Sequence, residues 1–408
     1  MSKVSPESTE NKTIGKWSRN NLIGIVVMGA VIVGLGLGLG LGLGLSQEES
    51  DDSITDDGPT YLSEINLGAN RIYDRLQWQV NHGYCGEVST IMAGLKYGQY
   101  YSQYDMRNIA TGSQLNEYLV GVNDGTTAIK VKLNYIQYKT DSYQNYFAWI
   151  KSMLSFGYKV TICVYNNEFM SYGIKDPNSG SDEYDHIVTI HSVTSIHNDL
   201  MYHSDDIITI EDHGTWAGAS NVNLQGISGV PDYLFSYNAI DFVGTRQQAN
   251  SQTSNQVYTV PSDSVLYGIA HTGVMDLLSE TIPITVTTST NYEYPTPKTG
   301  SNRRPAAMLL NLTVSVNSLV VGTQYNIYRY SHADNVPITN FNGASSSAIY
   351  KITITCCTSF TITPPSHPSS VALFTSMATF QTNNQFQFIE QISSNMQVIY
   401  RGVPSTAG

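Results

Sequence analysis

The most constraining feature of this 408-residue sequence is a long apolar run near its start. Residues 22–45 read LIGIVVMGAVIVGLGLGLGLGLGL, which is 24 consecutive residues without a polar side chain. At about 1.5 Å per residue, a helix of this length crosses a hydrocarbon core of about 30 Å. A single strand would leave its backbone groups unpaired in lipid, so the Leu-Gly alternation does not favour a strand. The run therefore predicts a transmembrane helix.

The charges that flank this run predict its orientation. Basic residues precede it and acidic residues follow it: Lys3, Lys12, Lys16 and Arg19, then Glu48, Glu49, Asp51, Asp52, Asp56 and Asp57. Because basic flanks stay cytoplasmic, residues 1–21 are predicted to be a cytoplasmic tail and the C-terminal region to be lumenal or extracellular. A cleaved signal peptide is the alternative, but the run is long for one and no A-x-A site follows. The acidic residues 46–60 are interpreted as a solvated linker, because they lack the turn-forming ligand pattern of a calcium site.

Glycines within the run suggest a second role for it. Gly34, Gly38 and Gly42 recur every four residues and so share one side of the predicted helix. Small residues at this spacing let transmembrane helices approach closely. Two interpretations stay open: weak self-association through residues 22–45, and glycines that reflect only low-complexity drift.

Composition limits the classes of partner. The net charge is −12 and only 13% of the residues are charged, so the surface is expected to be neutral and polar. This balance argues against nucleic acid as a partner, because nucleic-acid-binding proteins present basic patches. Hydrophobic residues make up 41% of the chain, which is enough to build two domains with their own cores.

The sequence pattern changes near residue 248. Residues 61–248 mix helical and strand-like runs: helices are predicted from Cys85 to about residue 101 and over residues 143–156, and strands in YKVTICVY, IVTIHSV and DIITIED. Over residues 249–408, short runs such as TIPITVTT, NLTVSV, QYNIYRY and IYKITIT alternate with turn residues. The predicted fold is therefore an α+β domain followed by an all-β sandwich, which is expected to support or bind rather than to catalyse.

The four cysteines differ in their surroundings. Cys356 and Cys357 are adjacent, which makes a bridge between them geometrically strained, and no disulfide framework is predicted. Cys163 lies in the apolar run YKVTICVYNN, where an inert buried thiol is expected. Cys85 instead follows a turn and opens a helical pattern formed by Val88, Ile91, Met92 and Leu95. A helix N-terminus and a nearby imidazole both favour a thiolate, so Cys85 is the candidate nucleophile.

The candidate general base is His186, which opens a strand-like run and would be fixed on one side and exposed on the other. His191 follows five residues later, so strand alternation sends it to the opposite face. Asp212 is the candidate to orient the imidazole, because it ends the next strand, and an antiparallel return brings that end beside His186. Asp206, at the start of the same strand, is the rival.

The candidate oxyanion donor is Gln79, which lies six residues before Cys85. Its side-chain amide and the Cys85 backbone N–H are predicted to stabilise negative charge on an attacked carbonyl oxygen. Gln77, which lies slightly further from Cys85, is the alternative.

These motifs resemble those of the papain-like cysteine peptidase superfamily. The resemblance rests on Gln-x5-Cys, GYCGEVSTIMAGLKYG, YDHIVTI and EDHG in that order, and within the superfamily it is closest to bacteriocin-processing peptidases of the double-glycine leader type. It covers about residues 70–245. It implies two lobes, with the thiol helix in one and an antiparallel His/Asp sheet in the other, and acyl-transfer chemistry.

Two departures from the family pattern bear on function. The relatives commonly carry Pro after GYCG, whereas here Glu87 follows, and a carboxylate that pointed at the sulfur would oppose thiolate formation. The processing members are cytoplasmic domains of transporters, whereas this domain is predicted to be exported. Their substrate specificity is therefore not transferred to this chain.

The resulting expectation is a membrane-anchored, exported cysteine peptidase-like protein that acts on a peptide or protein substrate through Cys85, His186, Asp212 and Gln79. No cofactor is required for this chemistry. No metal site is predicted either, because the group in YHSDDI, residues 202–207, fits a solvated hairpin as well as a metal site. The alternative is a catalytically silent surface-binding or adhesion protein that retains the peptidase-like scaffold.

Overall fold

A computed structural model describes most of the chain after residue 74. The described residues are 65–66, 75–78, 83–166, 186–211, 213, 234–243, 258–260, 266–290, 292–293, 304, 306–363, 378–381 and 383–405. The predicted transmembrane run over residues 22–45 lies outside them, as do Gln79 and Asp212. Within these ranges, no helix combines the length and the apolar character that crossing a membrane requires. All the described residues belong to one compact unit, Pro59–Gly408.

The described chain is α+β, with few helices and several antiparallel sheets. The helices are α1 Cys85–Lys96, α2 Gln103–Thr111, α3 Asp124–Lys130, α4 Tyr143–Ser155 and α5 Ala239–Phe242. Two short 3-10 helices cover Ala333–Asn335 and Ser345–Ser347. The strands fall into three sheets, which are described in turn below.

The first sheet has eight strands. They are β1 Ile65–Asn66, β3 Leu133–Thr140, β4 Lys159–Asn166, β5 His186–Thr194, β6 Ile207–Glu211, β7 Leu234–Asn238, β8 Tyr258–Thr259 and β9 Leu266–Val274. Along the main path the order is β3-β9-β4-β5-β6-β7, with β1 added to β5 and β8 added to β4. All these pairs are antiparallel. Strand β9 lies between β3 and β4, so a chain cut at residue 248 would lose a strand from the middle of this sheet.

One face of the first sheet is covered by α4. Ser142 caps this helix by accepting a hydrogen bond from the Asn145 N–H, and Gly157, with φ of 73°, turns the chain after its last turn. The buried side of α4 packs with alternate strand residues into one apolar cluster, which includes Phe147, Ile150, Leu154, Ile162, Val164, Val188, Ile190 and Ile210. The helix predicted over residues 143–156 is confirmed to within one residue.

The two remaining sheets form a sandwich-like pair. The four-stranded sheet has the order β10 Ile284–Thr288, β11 Leu309–Val316, β16 Gln385–Ser393 and β15 Thr379–Gln381. The five-stranded sheet has the order β14 Ser359–Thr363, β13 Tyr350–Thr355, β12 Gln324–Tyr330, β17 Val398–Pro404 and β2 Gln99–Tyr100. Burial alternates along β11 and β16, as expected for strands that cover a core on one face. Cys356 and Cys357 are bridged to each other between β13 and β14.

Helix α1 joins these two parts of the fold. Ten consecutive residues, Gly86 to Leu95, are buried, so the helix is enclosed on all sides rather than along one stripe. It packs against β5 of the first sheet, while Val88, Ile91, Met92 and Leu95 belong to the same core cluster as the apolar residues of the sandwich-like sheets. Strand β2 follows α1 closely and pairs with β17. The helix that carries Cys85 is therefore fixed by both parts of the chain.

Candidate active site

The turn before α1 determines where Cys85 lies. Gly83 has φ of 84°, a conformation that glycine adopts without strain, and α1 begins at Cys85. The Tyr84 hydroxyl donates to Gln114 Oε1 at 2.6 Å, so this side chain is directed away from the first-turn N–H groups. Gly86 is required by packing, because a Cβ there would lie 2.0 Å from the Tyr118 ring. The thiol is therefore held at the start of a helix whose position is closely constrained.

Cys85 is partly buried. It packs against a small apolar cluster that includes Cys163, Ile187 and Ile269 from the middle strands of the first sheet. These residues occupy one face of that sheet, since Cys163 pairs with Ile187 across β4 and β5. Cys163 is only 2% exposed, as expected for a cysteine in an apolar strand.

The turn is held by a buried ion pair that the sequence did not predict. Arg107 in α2 pairs with Glu87 in the first turn of α1, and it also donates to the Gly83 carbonyl oxygen. Its guanidinium carbon lies 4.0 Å above the centre of the Tyr84 ring, in cation-π geometry. Both charged side chains are 1% exposed. Arg107 therefore contacts the GYCGE segment on both sides of Cys85, at Gly83, Tyr84 and Glu87.

The same pair resolves the question raised by Glu87 in the sequence. Burial raises the pKa of the Glu87 carboxyl, and the facing Arg107 guanidinium opposes that rise. Burial lowers the pKa of Arg107, but the Glu87 charge and its hydrogen bond, with smaller contributions from Tyr84 and Cys85, together raise that pKa overall. The Glu87 carboxylate is therefore bonded to its counterion instead of standing unpaired in the first turn of α1.

A polar chain extends from Cys85 one helical turn into the protein. Ser89 is four residues after Cys85, and its hydroxyl donates to the Cys85 carbonyl oxygen at 2.9 Å. The same hydroxyl lies 3.0 Å from His213 Nε2, and His213 Nδ1 lies 3.3 Å from Gln77 Oε1. Gln77 also donates its backbone N–H to the His213 carbonyl oxygen at 2.6 Å. Both ring nitrogens of His213 are therefore engaged, and the ring is held against the helix that carries the thiol.

His186 is the first residue of β5 and is 2% exposed. Its ring centre lies 5.9 Å from that of His213, with the two rings at 71° to each other. In the strand register His186 pairs with Val164, and alternate residues of both strands pack towards α4 rather than towards α1. The described contacts thus connect Cys85 to His186 indirectly, through Ser89 and His213.

For the predicted oxyanion donor and the predicted orienting carboxylate, the structure describes the alternative residue in each case and not the preferred one. Gln79 and Asp212 lie outside the described residues, although β5 and β6 are antiparallel, as the argument for Asp212 requires. Gln77, the alternative to Gln79, is 3% exposed and is bonded to His213. Asp206, the rival of Asp212, instead pairs with Lys151 of α4 at 3.0 Å.

The histidine and acidic residues of YHSDDI have separate partners. His203 Nε2 lies 2.8 Å from Asp199, and Asp205 lies 2.9 Å from His197 Nε2. Among the described residues, no group of three or more His, Cys, Asp or Glu side chains is arranged to hold a metal ion.

Sequence reasoning missed Ser89, Arg107 and His213 as parts of the site. Ser89 could have been predicted, because it lies four residues after Cys85 and residues four apart share a helix face. His213 lies within the EDHG motif but was not given a role there. Arg107 carried no local signal, because its contact with Glu87 depends on how α1 and α2 pack.

No protein-family model, curated protein or solved structure matches this chain.

Proposed function

We propose that the protein is a membrane-anchored, exported thiol hydrolase of the papain-like type, acting on peptide or protein substrates. The observation that carries the proposal is the position of Cys85, a partly buried thiol on the first residue of a fully packed helix. Helix N-termini favour negative charge, and the one carboxylate in the first turn of α1, Glu87, is bonded to Arg107 rather than unpaired. A thiolate is the form that nucleophilic attack requires.

The proposed reaction has two stages. Cys85 Sγ attacks the substrate carbonyl carbon as His186 takes the thiol proton, and the leaving amine then receives that proton, which leaves a thioester on Cys85. Water, deprotonated by His186, attacks the thioester, releases the acid and restores the thiol. The Cys85 N–H and the Gln79 amide would stabilise the oxyanion, and Asp212 would orient the His186 ring.

His213 is assigned a positioning role in this scheme rather than the role of base. Its Nε2 is engaged by Ser89 and its Nδ1 by Gln77, so neither nitrogen is directed at the thiol. Its ring contacts His186, and its Ser89 contact fixes it to α1. His213 would therefore set the distance between the proton acceptor and the nucleophile.

The scaffold hypothesis is the second candidate, and one observation favours it. His186 is 2% exposed, and its strand register places it with residues that face α4. A base in that position would have to turn towards α1 before it reached the thiol. On this alternative the chain is a silent surface-binding or adhesion protein with a peptidase-like fold.

An electrophilic thiol probe separates the two candidates. Full-length protein in membranes would be treated at pH 6.5, and the labelled cysteine would be identified by mass spectrometry. The peptidase proposal expects fast labelling at Cys85, loss of that signal in Cys85→Ser, and unchanged labelling in Cys163→Ser. Labelling of Cys85 no faster than a free model thiol would favour the scaffold.

The proposed localisation needs its own experiment, because it rests on residues 22–45 and their charged flanks. Sealed membranes would be treated with protease from the cytoplasmic side. The proposal expects the region after residue 45 to be protected until detergent is added. Digestion of that region in sealed membranes would place the domain on the wrong side and overturn an exported function.

A further inference from the structure

One tripeptide after the predicted membrane span matches the acceptor motif for N-linked glycans. The motif is Asn, then any residue except Pro, then Ser or Thr, and residues 311–313 read Asn-Leu-Thr. The sequence holds one other match, at residues 11–13, and that match lies in the predicted cytoplasmic tail. Asn311 is therefore the one acceptor motif in the region that is proposed to be exported.

The structure places Asn311 on the outer face of the four-stranded sheet. It lies in β11, where burial alternates, so Leu310 and Leu312 point into the core whereas Asn311 is exposed. Thr313 is two residues further along the strand, lies on the same face and is half-buried. The two residues that define the motif are thus both directed away from the core.

The side chain of Asn311 leaves its amide nitrogen available. Its Oδ1 accepts a hydrogen bond from Gln391 Nε2 at 3.3 Å. Its backbone N–H donates to Ser289 Oγ at 3.1 Å, and its backbone oxygen accepts from the Ser289 N–H at 2.9 Å. Among the residues that the structure describes, none is hydrogen-bonded to Asn311 Nδ2, which is the atom that an N-linked sugar replaces a proton on.

The surface around Asn311 suits a sugar. Ser289, beside it at the end of β10, is exposed, and Gln391, its partner in β16, is half-buried. The described strand residues that face outwards from this sheet carry no charge, because the one ionisable residue of its four strands, Glu390, points into the core. Side-chain hydroxyl and amide groups of this kind are hydrogen-bond partners for sugar hydroxyls.

We propose that Asn311 carries an N-linked glycan. This proposal rests on the proposed export of residues 46–408, because the donor sugar is used on the far side of the membrane. A glycosidic bond forms between Asn311 Nδ2 and the anomeric carbon of a lipid-linked oligosaccharide, and the bond from that carbon to the lipid diphosphate breaks. The lipid diphosphate leaves, and one amide proton is released. The backbone of β11 pairs with β10 and β16, so transfer precedes folding and the outer face then accommodates the sugar.

Deglycosylation of the full-length protein tests this assignment. Protein from the membranes of its own cells would be treated with a peptide N-glycosidase in heavy-oxygen water and digested for mass spectrometry. The enzyme converts a glycosylated Asn to Asp, so residue 311 is expected as Asp labelled with heavy oxygen, together with a faster gel mobility of the treated protein. Unlabelled Asn at position 311 in this sample overturns the proposal.

Variants test whether the motif is read at this position. Asn311→Gln and Thr313→Val should both abolish the mobility shift, whereas Thr313→Ser keeps the hydroxyl and should retain it. Thr287→Val is the matched control, because Thr287 pairs with Thr313 across β10 and β11 but belongs to no acceptor motif. A mobility shift that survives in Thr313→Val, or that is lost in Thr287→Val, would contradict glycosylation through this motif.

Protease protection of the same membranes separates this proposal from the proposed function. Protection of the region after residue 45 with an unmodified Asn311 overturns the glycan and leaves export standing. A glycan on Asn11 in place of Asn311 would reverse the topology and overturn both. Cys85→Ser should show the same mobility shift as the unmodified protein, so failure of the thiol chemistry leaves this test intact.

Discussion

The two ends of α1 differ in how their buried polar groups are satisfied. At the start of the helix, Arg107 bonds Glu87 and Gly83, and Ser89 bonds the Cys85 carbonyl oxygen and His213. Beyond its end, hydrogen-bond partners are lacking, within the described residues, for Gln99 Oε1 and Nε2, Tyr101 Oη, Arg401 Nε and Nη2, and both ring nitrogens of His271. Native structures rarely leave such groups unpaired without a reason.

This difference separates a bonded site from a region with uncompensated buried polar groups. A bonded network fixes the turn before Cys85 in one arrangement, as a nucleophile requires. The Arg401 Nε and Nη2 atoms are instead buried without hydrogen-bond partners among the described residues, which is energetically unfavourable. The largest difference should appear in how much each of the two buried arginines contributes to the free energy of unfolding.

Replacing each arginine with methionine tests the difference between the two ends of α1 with the largest expected effect. Arg107→Met should lower the free energy of unfolding by about 3–5 kcal/mol, because it leaves the Glu87 charge buried without its partner. Arg401→Met should change it by only about 1 kcal/mol, because the two lost backbone hydrogen bonds are offset by removal of an unpaired charge. Urea unfolding at pH 7 measures both. Equal losses in the two variants would contradict the distinction.

His271 offers a second test, through the effect of pH on stability. Its burial lowers the pKa of the imidazole to about 4, from an ordinary value near 6.5. As pH falls below 6.5, the unfolded chain takes up this proton first, so stability is lost between about pH 6.5 and pH 4. Over that window the loss should reach about 3 kcal/mol, because one pKa unit corresponds to about 1.4 kcal/mol.

His271→Leu should remove this part of the acid sensitivity. Unfolding curves at pH 7 and pH 4.5 would be compared for the variant and the unmodified protein, and the difference between the two pH values should shrink in the variant. Parallel losses in both proteins would show that the buried ring does not titrate as described.

Replacing Ser89 should have a smaller effect on stability at the start of α1, where the buried polar groups are hydrogen-bonded. Ser89→Ala removes the hydroxyl that joins Cys85 to His213, and it should cost about 1 kcal/mol of unfolding free energy. Ser155→Ala is the control, because that exposed serine at the end of α4 only bonds the Ser152 carbonyl oxygen. The control should change stability by less than about 0.5 kcal/mol. Equal losses of unfolding free energy in the two variants would show that the hydrogen bonds beside Cys85 contribute no more to stability than an exposed serine hydroxyl does.

Local sequence patterns predicted which helices and strands form. They predicted less well where those elements end and which other elements they pack against. The spacing of apolar residues predicted α1, and the strand-like runs around Cys163, His186 and Glu211 correspond to β4, β5 and β6. The predicted end of α1 near residue 101 was wrong. The helix ends at Lys96 because Gly98, with φ of 74°, turns the chain into β2.

The contacts that build the site could not be predicted from the sequence. The ion pair of Arg107 with Glu87 spans 20 positions, and the contact of His213 with Ser89 spans 124. Such pairs depend on how separate elements pack, whereas periodicity reports only on neighbours within one element. The unpaired edge of Arg401 is likewise a property of packing and leaves no local pattern.

The central claim is that Cys85 and His186 act together, and the pH dependence of thiol alkylation tests it most directly. The rate at Cys85 would be measured from pH 5 to pH 9 in the unmodified protein, His186→Ala, His213→Ala and Asp212→Asn. We expect fast alkylation that persists below neutral pH, and at least a 10-fold loss at pH 6.5 in His186→Ala, with a profile like that of a model thiol near 8.5. Asp212→Asn should lose less, because it affects orientation more than charge. If His186→Ala matched the unmodified protein at every pH, and His213→Ala alone lost the fast reaction, the assignment of the base to His186 would be contradicted.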